Sequence, residues 1–185
     1  AYVQAAGEHV ERLIVGDPRQ ESTNMGPLIR GEHRASVEGY VARALDAGGE
    51  ILAGGGRPDQ PIGFYMNPAI LGSLGNDSEI AQNELFGPVG LLLRYDTLEE
   101  AVAIANDSRY ALNASVWGPP DLAMKVARGL RSGSVAINGG GGPRPDAPWG
   151  GPRESGVGRE GGEDGFREFF EVKHVHWPVV TPARG

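Results

Sequence analysis

An acid and an aromatic ring stand two residues apart, just before a Gly-Pro turn. Glu84 and Phe86 precede Gly87 and Pro88. A carboxylate accepts hydrogen bonds from neighbouring hydroxyls such as a ribose diol, and a phenyl ring can pack near a flat ligand ring. Gly87 permits unusual backbone angles and Pro88 fixes the next one, so the turn would hold acid and ring in one geometry. The alternative interpretation is an exposed surface acid, the commoner situation of acids in proteins.

A second segment with reactive side chains covers residues 148–160, PWGGPRESGVGRE. It combines an aromatic ring at Trp149, a cation at Arg153 and an acid at Glu160. Residues 156–161 also fit the dinucleotide pattern G-x-G-x-x-G. We reject that match because no apolar strand precedes it and the sequence after it is too short for the required βαβ unit.

Other candidate sites are weaker. The glycine run at residues 139–142 lacks the Gly-Lys-Ser/Thr that a P-loop needs. His174 and His176 would share one face of a strand, but no third metal ligand is evident, so an ordinary exposed strand is the preferred interpretation. Patterns of nucleophile elbows, zinc-protease helices and paired cysteines are absent from the sequence. We therefore predict no metal site and no hydrolase.

The two segments together resemble the aldehyde dehydrogenase superfamily, in its C-terminal part. Residues 84–89, ELFGPV, are similar to its E-I/L-F-G-P-V motif, and residues 148–160 are similar to P-F-G-G-x-K-x-S-G-x-G-R-E. Trp149 replaces the usual Phe and Arg153 the usual Lys. Asn83 stands where another acid is common before the motif. Further matches extend the resemblance across nearly the whole chain: residues 26–29, 105–108 and 110–112, with Ala111 where Gly is usual.

The resemblance implies a role for three of these side chains in binding cofactor and substrate. Glu84 would bind the nicotinamide ribose of NAD or NADP, and Phe86 would lie against the cofactor. Trp149 would line the substrate pocket. The glycines at 139–142, with residues 143–146, fall where the family places the loop that shapes the substrate entrance. Their small size favours a bulky or extended aldehyde.

The resemblance also assigns roles to three charged residues near the end of the chain. Glu160 would relay a proton away from the catalytic centre; a structural ion pair is an equal alternative. Arg159 and Glu171 would stabilise the interface between subunits. The resemblance thus implies a homo-oligomer joined through its C-terminal strand.

The chain contains no cysteine, although enzymes of this family attack the aldehyde with a thiolate, pass a hydride to NAD or NADP, and hydrolyse the thioester with an activated water. By resemblance the cysteine, the general base and the dinucleotide-binding domain would precede Ala1. We therefore expect a chain truncated at its N-terminus that alone is inactive and binds no cofactor. The alternatives are a non-catalytic oligomerising module and, more distantly, a glutamyl-phosphate reductase.

Composition excludes several classes of partner. The 185 residues carry a net charge of -7 with both signs scattered along the chain, which disfavours nucleic acid and anionic membrane surfaces. No apolar run approaches the roughly 20 residues of a membrane helix, and no secretory signal opens the chain. We expect a cytoplasmic protein.

Hydrophobic spacing predicts alternating strands and helices, typical of an α/β fold with three layers, a mostly parallel sheet and flanking helices. We predict one catalytic-domain portion over residues 1–170 and an oligomerisation strand with tail over 171–185. The predicted helices cover residues 2–13, 31–47, 97–106, 121–130 and 163–169. The predicted strands cover residues 51–53, 69–71, 89–95, 113–117, 134–138 and 171–177.

Overall fold

A computed structural model describes residues 2–139 and 142–178, and the described chain divides into two units after Asp107. The first unit contains α1 (Tyr2–Glu11), α2 (Gly31–Asp46), β1 (Glu50–Gly54), β2 (Ala69–Gly72), α3 (Glu79–Gln82), β3 (Val89–Leu91) and α4 (Leu98–Asn106). The second contains β4 (Asn113–Val116), α5 (Pro120–Gly129), β5 (Ser134–Ile137), a short 3₁₀ turn (Arg153–Ser155) and α6 (Gly162–Arg167).

The first unit packs α2 and α3 against a three-stranded sheet in the order β1-β2-β3. β2 runs antiparallel to β1 and parallel to β3. Its side chains Ala69 and Leu71 are buried with Ala44 of α2 and Ile80 of α3. α2 ends where the sequence predicts, because Gly48 adopts a φ of 93° that side chains other than glycine rarely take.

The second unit contains a strand-helix-strand element. β4 and β5 pair in parallel, from Asn113 opposite Ser134 to Val116 opposite Ile137, and α5 connects and contacts both strands. Pro120 starts α5, a position that tolerates proline because the first turn of a helix has no use for that N–H. The alternation of strands and helices is thus the α/β fold that the sequence predicts, with two of its three strand pairings parallel.

Two predicted strands are corrected by the structure. The strand expected over residues 89–95 ends at Leu91, because β2 ends at Gly72 and the last bond between them runs from the Leu92 N–H to the Leu71 carbonyl. The strand expected over residues 171–177 is not formed. Residues 171–178 are exposed and form neither helix nor strand, since nothing in the described chain pairs with them; residues 179–185 lie outside the described part.

A capping box is present in an altered form at the start of α4. The Thr97 hydroxyl accepts a hydrogen bond from the Glu100 N–H at 3.1 Å. The Glu100 carboxylate accepts from the Asp96 N–H at 2.8 Å, one residue earlier than the box requires. Within the described residues, no helix combines the length and the apolar character needed to cross a bilayer.

Candidate cofactor-binding site

Glu84 lies at the end of a short helix that the sequence did not predict. α3 ends at Gln82, and the Asn83 side chain donates to the Glu79 carbonyl at 2.8 Å. Glu84 follows in an exposed position and, with Phe86 and Leu85, lines a depression of about 430 Å³. The rest of its wall is mixed, with the apolar side chains Ile80, Val89 and Leu91 beside Asn83 and Gly87. A carboxylate at the edge of this open depression remains available to a ligand's hydroxyls.

Phe86 adopts a left-handed backbone conformation with a φ of 55°. Its ring is 77% exposed, so no packing of the ring itself accounts for that conformation. A positive φ at a bulky residue costs on the order of 1–2 kcal/mol, which the surrounding structure must offset. The sequence pattern placed the unusual backbone at Gly87; the structure places it one residue earlier, on the aromatic residue.

Gly87 is needed here for space. A Cβ built at this position would lie 2.8 Å from both γ carbons of Val37, a side chain of α2 with no exposed surface. The next two residues attach the turn to the sheet. The Val89 N–H donates to the Gly87 carbonyl at 2.8 Å, and the Pro88 carbonyl accepts from the Ala69 N–H of β2 at 2.9 Å. The turn is therefore held between α2 and β2.

His33 supplies a contact that sequence reasoning missed. Its Nε2 lies 2.8 Å from the Phe86 carbonyl oxygen, and since a carbonyl can only accept, this nitrogen donates. His33 and Val37 are four residues apart and therefore share one face of α2. The sequence shows that spacing. It does not show that this face of α2 packs against the turn at Phe86 and Gly87.

A second depression, of about 370 Å³, lies against the same turn. It is lined by Met25, Gly26, Pro27, Leu28 and Met66, together with Phe86, Gly87 and Pro88. Phe86 therefore borders both depressions. The segment at residues 26–29, whose match to the family had no evident role, forms part of the second one.

In the second unit, Trp149 and Glu160 form an isolated antiparallel bridge. The Trp149 N–H donates to the Glu160 carbonyl at 2.7 Å, and the Glu160 N–H donates to the Trp149 carbonyl at 2.8 Å. Directly opposed residues in such a pair project their side chains from the same face. The half-buried indole and the exposed carboxylate are therefore neighbours. Sequence reasoning gave them separate roles and did not anticipate the pairing.

The charged residues predicted beside this bridge have mostly backbone partners. Arg159 donates to the carbonyls of Gly158 at 2.8 Å and Gly151 at 3.4 Å. Among the described residues, the Glu160 carboxylate makes no ion pair. The ion pair considered as the alternative role of Glu160 is therefore not seen in this part of the chain. Arg153, at a φ of 61°, donates to the Ser108 carbonyl. Glu171 is exposed.

The loop expected at the substrate entrance is only partly described, because Gly140 and Gly141 lie outside the described residues. Residues 142–146 are exposed. Arg144 holds Asp146 through two hydrogen bonds of 2.9 and 2.7 Å, and this contact lowers the pKa of the Asp146 carboxyl. His174 and His176 have ring centres 6.3 Å apart. The described residues bring no group of three metal-ligating side chains together.

Comparison with known proteins identifies the family. The sequence pattern of the "Aldehyde dehydrogenase family" matches residues 1–175. A Staphylococcus haemolyticus member is 40% identical over 177 residues, covering 94% of this chain and 37% of the relative. The chain thus spans little more than a third of the length of the curated relatives it matches.

Solved structures agree with that assignment. Betaine aldehyde dehydrogenase from Staphylococcus aureus in complex with NAD+ has a TM-score of 0.89 and 34% identity, covering 98% of this chain and 38% of that one. A C291A variant of aldehyde dehydrogenase C from Pseudomonas syringae, bound to NAD+ and octanal, has a TM-score of 0.87 and 38% identity, covering 92% and 36%. The chain belongs to the aldehyde dehydrogenase family.

Proposed function

We propose that this chain forms the cofactor-facing and substrate-facing C-terminal part of an NAD-dependent aldehyde dehydrogenase. In that reaction an aldehyde, water and NAD+ give a carboxylic acid, NADH and a proton. The observation that carries the proposal is the turn at residues 84–88, which is held in place by α2 and β2 and presents an exposed carboxylate and an exposed ring together. The NAD+ complexes among the structural neighbours support NAD as the cofactor; NADP remains the alternative.

The turn would act by binding and orientation. Glu84 would accept hydrogen bonds from the two hydroxyls of the nicotinamide ribose, and Phe86 would lie against the cofactor. NAD, when bound, accepts the hydride from the substrate carbon. Fixing the ribose limits the positions that the attached ring can occupy, which lowers the entropic cost of reaching a reactive geometry.

The bridge at Trp149 and Glu160 would act on the substrate side. Trp149 would line the aldehyde pocket, and the Glu160 carboxylate would accept and pass on the proton released as water attacks. Because the bridge sets both side chains on one face, the proton acceptor would lie beside the pocket wall. The glycine-rich loop at residues 139–142 would leave the entrance open to a bulky or extended aldehyde; faster turnover of acetaldehyde than of octanal by the full-length enzyme would contradict this.

Alone, the chain would not catalyse the reaction. Its 185 residues include no cysteine, so the nucleophile would come from sequence outside it, and the family resemblance implies the same for the general base. The second candidate is a non-catalytic oligomerising module. The zero-cysteine composition favours it, because such a module needs no nucleophile.

The upstream coding sequence distinguishes these two candidates. The enzyme proposal predicts an in-frame Gly-Gln-x-Cys motif a short way before Ala1, and a stop codon there would support the module. The purified 185-residue chain should reduce no NAD with acetaldehyde, octanal or benzaldehyde. The full-length protein should reduce it.

The role of Glu84 is tested by Glu84→Ala in the full-length enzyme. Hydrogen bonds to a charged group contribute about 1.5–3 kcal/mol, so the KM for NAD should rise by roughly ten-fold or more. Glu11→Gln, a change to an exposed acid of α1, is the matched control. Equal KM values for the two variants would contradict cofactor binding by Glu84.

We also propose that the chain assembles as a homo-oligomer through Arg159, Glu171 and the segment that follows. Exposed apolar side chains at Val172, Val175 and Trp177 support this, since a partner strand would cover them. Glu171→Lys should reduce the mass measured by light scattering, and Glu168→Lys, at another exposed acid, should not. An unchanged mass for Glu171→Lys would contradict the proposed interface.

A further inference from the structure

We propose that His33 is a positioning residue that fixes the cofactor-facing turn through the Phe86 carbonyl. The inference rests on the proposed role of Glu84 and Phe86 in binding NAD. It adds a residue that lies outside both family motifs quoted from the sequence, on a different element of the fold.

The geometry of the hydrogen bond carries the first step. The His33 Nε2–H donates to the Phe86 carbonyl at 2.8 Å. The carbonyl belongs to the peptide that joins Phe86 to Gly87, so the bond restrains rotation of that peptide. Phe86 stands at a φ of 55°, a conformation that its own exposed ring does nothing to stabilise.

Leu85 packs against the hydrophobic core that contains Leu71 and Ile80, and the remaining supports of the turn act further along the chain. The Val37 side chain fills the space beside Gly87, and the Ala69 N–H donates to the Pro88 carbonyl. Among the described residues, the bond from His33 is the one hydrogen bond made to the backbone of residues 84–86. Leu85 holds this half of the turn by packing, and His33 is the group that fixes the orientation of its last peptide.

Removing the donor should let Phe86 relax toward negative φ, which the backbone prefers. That rotation moves the ring and changes the direction of the preceding segment with Glu84. Binding of NAD would weaken, because the turn would have to be ordered again on binding. The turnover rate of the saturated enzyme should change little, since bound NAD restores the arrangement.

The variants His33→Phe and His33→Gln separate the hydrogen bond from the volume of the side chain. His33→Phe keeps a planar ring and loses the donor, whereas the Gln amide can place an N–H at a similar reach. In the full-length enzyme, His33→Phe should raise the KM for NAD by about three- to ten-fold, the effect of one lost hydrogen bond. His33→Gln should restore most of the loss, and kcat should stay within about two-fold in both.

Two further variants make the experiment decisive. His9→Phe makes the same change at an exposed position of α1 and should leave the KM unchanged. If His33→Phe does not fold, His33→Asn, whose amide is too short to reach the carbonyl, replaces it with the same expected rise. In a double-mutant cycle, His33→Phe and Glu84→Ala should be less than additive, because both act on one turn.

The outcomes distinguish this inference from the function it rests on. An unchanged KM in Glu84→Ala would overturn the proposed cofactor role itself. A raised KM in Glu84→Ala with no difference between His33→Phe and His9→Phe would overturn the role of His33 alone. Failure of His33→Gln to recover the KM, or strict additivity in the cycle, would also overturn it.

Discussion

The turn at residues 84–88 and the segment at residues 148–160 are held in place by different means. The turn rests mainly on side chains of α2, the buried methyls of Val37 and the imidazole of His33, with one backbone bond from Ala69 of β2. The segment rests on backbone approaching backbone at glycines. A Cβ at Gly151 would lie 2.6 Å from the Ala111 carbonyl oxygen, and one at Gly165 would lie 2.6 Å from the Glu160 carbonyl carbon.

The buried residues of the two units differ accordingly. The first unit buries Leu71, Tyr65, Met66 and Ile80, among others, whereas the buried hydrophobic side chains of the second, among the residues described, are Ala111 and Ala123. A packed core can support a strained turn through a few precise contacts. Where the core is small, the chain is positioned by close backbone contacts that only glycine allows. Of the glycines whose spacing imitates a dinucleotide motif, Gly161 fits this description, because a Cβ there would lie 2.8 Å from the Ala147 carbonyl oxygen, whereas a Cβ at Gly156 would meet no atom within 4 Å.

The largest effect is expected from Gly133→Ala in the second unit. A Cβ there would lie 1.7 Å from the carbonyl oxygen of Gly150, the residue after Trp149, so this part of the chain must move. We expect the free energy of unfolding to fall by about 3 kcal/mol, measured by urea unfolding followed by tryptophan fluorescence. Gly142→Ala, where no atom lies within 4 Å, is the matched control and should stay within about 0.5 kcal/mol. Similar urea midpoints for the two variants would contradict the conclusion that close backbone contacts hold this segment in place.

A smaller effect is expected in the first unit from Gly87→Ala, because side-chain methyls can give way more easily than backbone. We expect a loss of about 1–3 kcal/mol in the free energy of unfolding. Val37→Ala should cost about 2 kcal/mol through the cavity it leaves. The double variant should cost about 1 kcal/mol less than the sum, since the smaller side chain makes room for the new methyl. Additive losses would show that Val37 does not set the position of the turn.

The smallest effect concerns ion pairs, which join distant as well as neighbouring residues in both units. Arg57 holds Glu38 of α2 through bonds of 2.6 and 2.7 Å, and this contact lowers the pKa of the Glu38 carboxyl. A lowered pKa in the folded state stabilises the protein above the ordinary glutamate pKa of about 4.3, and the stabilisation is lost as the pH falls through the folded value. Arg57→Met should therefore lower the melting temperature at pH 7 by roughly 2 °C, a difference that shrinks in acid.

The comparison pair is a local one from the second unit, which also contains a long-range pair of Arg109 and Glu154 at 3.5 Å. Arg167 and Glu163 lie four residues apart on α6, bonded at 2.6 Å and largely exposed. Arg167→Met should change the melting temperature less than Arg57→Met, because it joins residues that the helix already holds together. Differential scanning calorimetry of both variants at pH 7 and in acid checks this order. An equal or greater loss for Arg167→Met would show that the distance between the paired residues along the chain does not set the size of the loss.

Much of the fold followed from periodicity, and what did not follow has identifiable causes. The helix at Gly31–Asp46 and the strands at Asn113–Val116 and Ser134–Ile137 lie within a residue or so of their predicted ends, because their apolar spacing and glycine stops are local features. The strand expected over residues 171–177 is not formed within the described chain, because a strand needs a neighbour and the proposed neighbour belongs to another subunit. The four-residue helix before Glu84 is too short for periodicity to reveal.

The sequence by itself determined the family and the two segments that carry its chemistry, because residue type and spacing in a motif are properties of the chain. Only the tertiary structure decided how those segments are held. It moved the strained backbone from Gly87 to Phe86, placed His33 against that residue's carbonyl, and paired Trp149 with Glu160. Such contacts join residues 53 and 11 positions apart, and the packing of helix on turn and strand on strand brings them together.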